Sequence, residues 1–191
     1  MNYLLVIAYD GSDFAGWQTQ DPDAHQTTRT VQGELERILR RVFRLPIDLQ
    51  GSGRTDRGAH ATGQTASFHL PIQLTGDDLM RILGDSLPHD ISVLSATVVP
   101  DRFHARYDAT GKTYVYKIRN AHRQHPFVSR YTHYVPIRRH RIDADAMRRA
   151  ASLFIGTHDF GSFMAMGSDK KNTVRTIFSF DISEYPIDPD D

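Results

Sequence analysis

Tyr3 to Tyr9 (YLLVIAY) is apolar at every position, which predicts a strand covered on both faces. Asp10-Gly11 ends it, and a polar loop with Gly16-Trp17-Gln18 follows; Trp17, the only tryptophan, is expected to plug the sheet. After a loop-like stretch from Asp21 to Thr30, apolar residues recur at helical spacing. Val31, Leu35, Ile38, Leu39 and Val42 predict a helix from Val31 to Phe43, N-capped by Thr30 and closed by Pro46. Glu34 and Glu36 early in it, with Arg40, Arg41 and Arg44 late, complement its dipole. Ile47 to Gln50 reads as a short strand. From Gln64 the pattern alternates, with Gln64, Ala66, Phe68 and Leu70 on one side and Thr65, Ser67 and His69 on the other. A second helix is predicted over Asp77 to Leu87, capped by Thr75 and stopped by Pro88, then a strand from Ile91 to Val99.

Beyond Pro100 the signals are shorter. Lys112 to Asn120 is strand-like, with Lys112, Tyr114, Tyr116 and Ile118 on a common face, and Tyr131 to Val135 suggests another strand. A third helix fits Asp143 to Ile155, burying Met147, Ala150, Ala151 and Phe154. Val174 to Ser183 alternates, with Val174, Thr176, Phe178, Phe180 and Ile182 on one face. Several successive strands lack a crossover helix, so the expected class is α+β, an antiparallel or mixed β-sheet with flanking helices. The element order across Tyr3 to Val99 suits a ferredoxin-like split unit. Residues 1–100 are expected to form an N-terminal unit and residues 101–191 a C-terminal one.

Between the first helix and the alternating strand lies Gly51 to Gln64, GSGRTDRGAHATGQ, with four glycines around an Arg-Thr-Asp triplet. Glycine serves where backbone turns tightly or approaches another group closely. The stretch lacks the Gly-Lys-Ser/Thr ending of a phosphate-binding loop and does not open onto a helix, which argues against a nucleotide cofactor. The 10 histidines are scattered without metal-ligand spacing. Asp56, flanked by Arg54 and Arg57, remains. Taken alone it either closes a turn or pairs with an arginine on the surface, or it is a reactive carboxylate that attacks an anomeric carbon or takes a neighbouring proton.

Charge refines the reading. The chain has net charge +0, yet Asp101 to Arg149 holds 12 Lys or Arg against 4 Asp, while Asp181 to Asp191 holds five acids and no base. Such a basic stretch is either a solvated face or a nucleic-acid surface. Zero cysteines exclude disulfides. No run is long enough for a transmembrane helix and Met1 to Gly11 carries no secretory pattern, so the expected compartment is the cytoplasm, with no membrane partner.

GSGRTDRGAHATGQ resembles the signature of the tRNA pseudouridine synthase A family. Further blocks match in order: Tyr9-Asp10-Gly11 with Gly16-Trp17-Gln18, Val31-Gln32, Leu87-Pro88-x-Asp90-Ile91, Phe103-His104-Ala105-Arg106, Tyr114-x-Tyr116, and Gly156-Thr157-His158-Asp159-Phe160 after the third helix. The resemblance implies isomerisation of uridine to pseudouridine in the tRNA anticodon stem-loop by a homodimer, without cofactor or metal. It implies Asp56 as the catalytic carboxylate, Arg54 as the arginine that helps extrude the nucleotide, and Tyr114 as the tyrosine against the uracil ring. The basic stretch then reads as an RNA-backbone surface. Arg57 and Ala59 stand where small or aliphatic residues are usual in the family, and an ion pair between Arg57 and Asp56 is one expected result. The family's last block, a helix and an arginine that pairs with the catalytic aspartate, is expected beyond Asp191. The C-terminal unit therefore reads as incomplete, and a tRNA-binding fragment without turnover is the alternative.

Overall fold

In the computed structural model, which describes residues 1–19, 28–164 and 172–186, the apolar N-terminal run becomes β1 (Asn2–Tyr9), an inner strand of a four-stranded sheet. The chain continues through α1 (Val31–Phe43), β2 (Gln50–Gly51), β3 (Ala61–His69), α2 (Gly76–Gly84) and β4 (Ile91–Val99). The strand order is β2-β3-β1-β4 and every neighbouring pair is antiparallel. With the order β-α-β-β-α-β, this is the ferredoxin-like arrangement expected from the sequence. These elements fall in the first of two compact units, Met1–Thr113 and Tyr114–Asp191.

Alternation decides what is buried. Tyr3, Leu5 and Ile7 of β1 and Ala66 and Phe68 of β3 share one core with Leu35, Ile38 and Leu39 of α1 and Leu79 and Leu83 of α2. Each such fully buried side chain contributes roughly 1.5–3 kcal/mol. The opposite parity of β1, Leu4, Val6 and Ala8, is only half-buried, so the expectation of two fully covered faces is corrected. Part of that second face is closed by the chain after β4. Asn2 Nδ2 donates to Phe103 O at 2.7 Å, and the Ala105 N–H donates to Ser67 Oγ at 3.0 Å. Along β4 the register slips between Val6 and Ile7, whose partners are Ser95 and Val93, leaving Leu94 as the extra, exposed residue of a bulge.

α1 spans the predicted residues, and Thr30 Oγ1 accepts the Gly33 N–H at its start. Its end is set by Arg44 in the left-handed conformation (φ 54°), its N–H on Arg40 O, two residues before Pro46. α2 ends at Gly84, earlier than Leu87. The short strand expected at Ile47 to Gln50 pairs only at Gln50–Gly51, because side chains of α1 occupy the backbone groups before it. Arg40 donates to Ile47 O at 2.7 and 3.0 Å, and the Leu49 N–H donates to Glu36 at 3.1 Å. Glu36, buried at 6% exposure, also accepts from Gln32 Nε2 at 3.1 Å and Arg40 Nη2 at 2.9 Å. Its role is thus to fasten the approach to β2, beyond complementing the helix dipole.

In the second unit, β5 (Ile118–Ala121) pairs in parallel with β6 (His133–Pro136), and β7 (Gly156–Asp159) pairs antiparallel with β8 (Val174–Ile177). α3 (Ala144–Ser152) is capped by Asp143, whose Oδ1 accepts the Ala146 N–H. The strand expected over Lys112 to Asn120 is ladder-bonded only from Ile118, and Tyr114 and Tyr116 are exposed. α3 is shorter than expected, with Ala151 buried but Ala150 exposed. β8 stops at Ile177, and Val174, Thr176, Phe178 and Phe180 are exposed. A two-stranded sheet has little area to bury an alternating face, which accounts for that difference.

Replacing Glu36 with alanine leaves the buried Leu49 N–H without its acceptor and the Arg40 guanidinium without its carboxylate partner. We expect Glu36→Ala to lower stability by about 2–3 kcal/mol, measured by urea unfolding, and Glu36→Gln to lower it less.

Candidate active site

The stretch between β2 and β3 is held from below by one glutamine. Gln64 has the same parity as Ala66 and Phe68, so the alternation that packs the core also directs Gln64 under the loop. Its Nε2 donates to Gly53 O at 2.9 Å, and its Oε1 accepts from Ser52 Oγ at 2.8 Å. Next, the Ala59 N–H donates to Asp56 O at 3.1 Å, closing a turn with Gly58 (φ +77°) in third position. A type II turn requires a positive φ there, which is why a glycine follows Arg57.

The loop after β1 lies directly against this turn. Gly11 approaches so closely that a Cβ there would stand 1.9 Å from Ala59 O. Gly16 (φ +113°) lies against Thr55, where a Cβ would stand 2.7 Å from the carbonyl oxygen. The Trp17 N–H donates to Thr55 O at 3.0 Å, and the Gly58 N–H to Phe14 O at 3.2 Å. Trp17 itself is buried at 2% exposure, 6.1 Å from the Tyr9 ring, and acts as the plug expected of it. The Tyr9 hydroxyl lies 2.8 Å from Thr55 Oγ1. Burial pushes the Tyr9 phenol above its usual range, opposed by hydrogen bonds from Thr55 and Gln64.

A bidentate ion pair buttresses the same loop. Arg29 Nη1 and Nη2 bond the two Asp90 carboxylate oxygens at 2.6 and 2.9 Å, and the guanidinium lies 4.0 Å above the Phe14 ring. Backbone bonds continue the connection, from the Asp10 N–H to Asp90 O at 3.0 Å and from the Ala15 N–H to Arg29 O at 2.9 Å. The Arg29 hydrogen bonds hold Asp90 below the usual carboxylate range, and the Asp90 bonds raise Arg29 above its own. Sequence reading missed this pair; its one signal was Asp90 within the Leu87-Pro88-x-Asp90-Ile91 block.

Between the two loops opens a cleft of about 390 Å³, with Ala15 to Thr19 as one wall and Arg54 to Arg57 as the other. That volume lies within the roughly 300–1,000 Å³ typical of ligand clefts. Among the described residues that line it, Asp56 is the only acid, and it is exposed, as are Arg54 and Arg57. Among the described residues no ion pair joins Asp56 to either arginine, so the pair that Arg57 could form with it is not made. Arg54 and Asp56 are thus brought to one cleft, with Thr55 between them turned to Tyr9. Tyr114 belongs to the second unit and is 86% exposed. His60 is tied to the loops, its Nδ1 3.1 Å from both the Gly11 N–H and Asp10 Oδ1. Among the described residues no group of three His, Asp or Glu side chains is arranged to hold a metal ion.

Known proteins resemble this chain over most of its length. The family model described as tRNA pseudouridine synthase matches residues 5–108 and 150–191. A tRNA pseudouridine synthase A of Bacillus sp. (strain KSM-64) is 43% identical over 183 residues, covering 96% of this chain and 72% of that protein. The proteins of that name from Limosilactobacillus fermentum and Latilactobacillus sakei are 44% and 41% identical, covering 92% of this chain in both cases and 66% and 68% of their own lengths.

The lowered pKa of Asp90 fixes a pH dependence. A carboxylate lowered in the folded state contributes stability above its unfolded value, and that contribution is lost as pH falls through the lower folded value. Thermal midpoints should therefore fall as pH drops below about 4, and Asp90→Asn should lose roughly 1–2 kcal/mol at neutral pH and flatten that acid limb.

Proposed function

The chain belongs to the tRNA pseudouridine synthase family, whose reaction isomerises uridine within tRNA, and we propose that Asp56 carries that reaction here on uridines of the anticodon stem-loop. The observation that supports this reading is a cleft of about 390 Å³ in which Asp56, the one lining carboxylate among the described residues, is exposed and held on a pinned turn between two arginines. An exposed carboxylate with no ion-pair partner among the described residues is available to a ribose.

In the proposed sequence the target nucleotide leaves the stacked stem, at a cost of a few kcal/mol, and its ribose meets Asp56. The carboxylate either attacks the anomeric carbon or removes the proton beside it. The bond from the sugar to uracil N1 breaks, the base turns in the cleft, and a new bond joins the sugar to C5. The C5 hydrogen leaves as a proton and N1 gains one, so the reaction is balanced without oxidant or cofactor. Arg54 assists extrusion and contacts phosphate, for which a guanidinium fork is suited. Tyr114 stacks on the uracil ring, a contact worth roughly 1–3 kcal/mol. Its exposure leaves the ring face open to such a base. The proposed working form is a homodimer and the proposed compartment the cytoplasm; among the described residues no helix is long and apolar enough to cross a membrane.

Asp56→Asn is expected to abolish release of the C5 hydrogen from labelled tRNA while leaving tRNA affinity within about threefold of the parent. Turnover comparable to the parent would reject Asp56 as the carboxylate, and binding without turnover by the parent itself would favour a tRNA-binding fragment. Because Tyr114 is exposed, Tyr114→Ala should reduce turnover by more than tenfold without changing the unfolding midpoint. A variant that unfolds would instead give Tyr114 a role in packing.

A further inference from the structure

Among the described residues that line the cleft, one cation, Arg57, is not used by the steps above. Arg57 is the second residue of the turn closed by the Ala59 N–H on Asp56 O, and that turn is fixed at three points. Thr55 O accepts the Trp17 N–H, the Gly58 N–H reaches Phe14 O, and Ala59 O abuts Gly11. The Arg57 backbone is therefore held by the fold, whereas its side chain is exposed, lines the cleft and, among the described residues, forms no ion pair. In the chain Arg57 follows Asp56 directly and Arg54 precedes Asp56 by two residues, so cations flank that carboxylate on both sides. A third lies nearby: a Cβ on Gly53 would stand 2.6 Å from Lys112 Nζ.

A ribose within an RNA strand carries a phosphate on each side. A site that brings one carboxylate to that ribose must also neutralise the flanking phosphates, because the carboxylate and the strand are both anionic. We propose that Arg57 binds the RNA backbone phosphate next to the target ribose, making it a substrate-positioning residue in the cleft that holds Asp56. The proposal rests on the reading of that cleft as the nucleotide site. Two features favour phosphate over an internal role. The guanidinium has no acid partner among the described residues, and its backbone is already ordered, so binding immobilises only the side chain. The charge also offsets repulsion between Asp56 and the incoming strand, so its effect belongs in substrate affinity.

The test uses the full chain and an unmodified tRNA transcript with uridines in its anticodon stem-loop. Affinity is measured from low to moderate salt for the parent, Arg57→Gln and Arg57→Lys, together with KM, kcat and the unfolding midpoint. Loss of one phosphate contact lowers the slope of log affinity against log salt by about 1. Arg57→Gln is expected to show that reduction and a KM raised roughly fivefold to tenfold, with the loss in KM rather than kcat and the midpoint unchanged. Arg57→Lys is expected to restore the slope, since a point charge suffices for counterion release. If Arg57→Gln keeps the parent's slope and KM, or loses only kcat, the proposal is overturned while the assignment of Asp56 stands. If the parent neither binds nor modifies the transcript, both fall.

Discussion

The site depends on backbone meeting backbone between two loops. Thr55 O takes the Trp17 N–H, Phe14 O takes the Gly58 N–H, and Gly11 and Gly16 lie where any side chain would collide with the opposing carbonyl. Peptide groups withdrawn from water need partners, and here each loop supplies the other's. Everything chemical in the cleft follows from that closure, because it places residues 54–57 facing residues 15–19 with Asp56 outward. Glu36, Arg40 and the Arg29–Asp90 pair act one layer further out, fixing the segments that lead into each loop.

Much of the first unit was legible in the sequence because its elements bury one face each. α1 could be bounded to the residue from its apolar stripe and Thr30, and β4 from its flanking prolines, since burial and capping are local signals. The left-handed Arg44 that ends α1 has no strong residue-type signature, yet Pro46 two residues later put the end in the right place. The strand at Ile47 was overextended because nothing in the sequence says that side chains of α1 occupy those backbone groups. In the second unit, alternation at Lys112 to Ile118 and at Val174 to Ile182 described extended chain correctly in part, but pairing needs a partner strand, which alternation alone does not supply.

The site divides in the same way. Arg54 and Asp56 stood out because a charged triplet among glycines is conspicuous, and the resemblance gave it meaning. The structure adds why the glycines are there: positive φ at Gly16 and Gly58, and a contact distance at Gly11 that admits no Cβ. Tyr9, Gln64, Arg29 and Asp90 support the loops through long-range contacts across 46, 11 and 61 positions, separations that no local pattern carries.

The closure by main chain has an evolutionary corollary. The side chains of residues 54 and 57 contribute little to holding the loops, so they can be exchanged with small effect on folding, whereas Gly11 and Gly16 cannot. Such a cleft separates the positions that permit diversification from those that forbid it. New substrate preferences are then reachable by changing the rim while the hinge-like seam beneath it stays fixed.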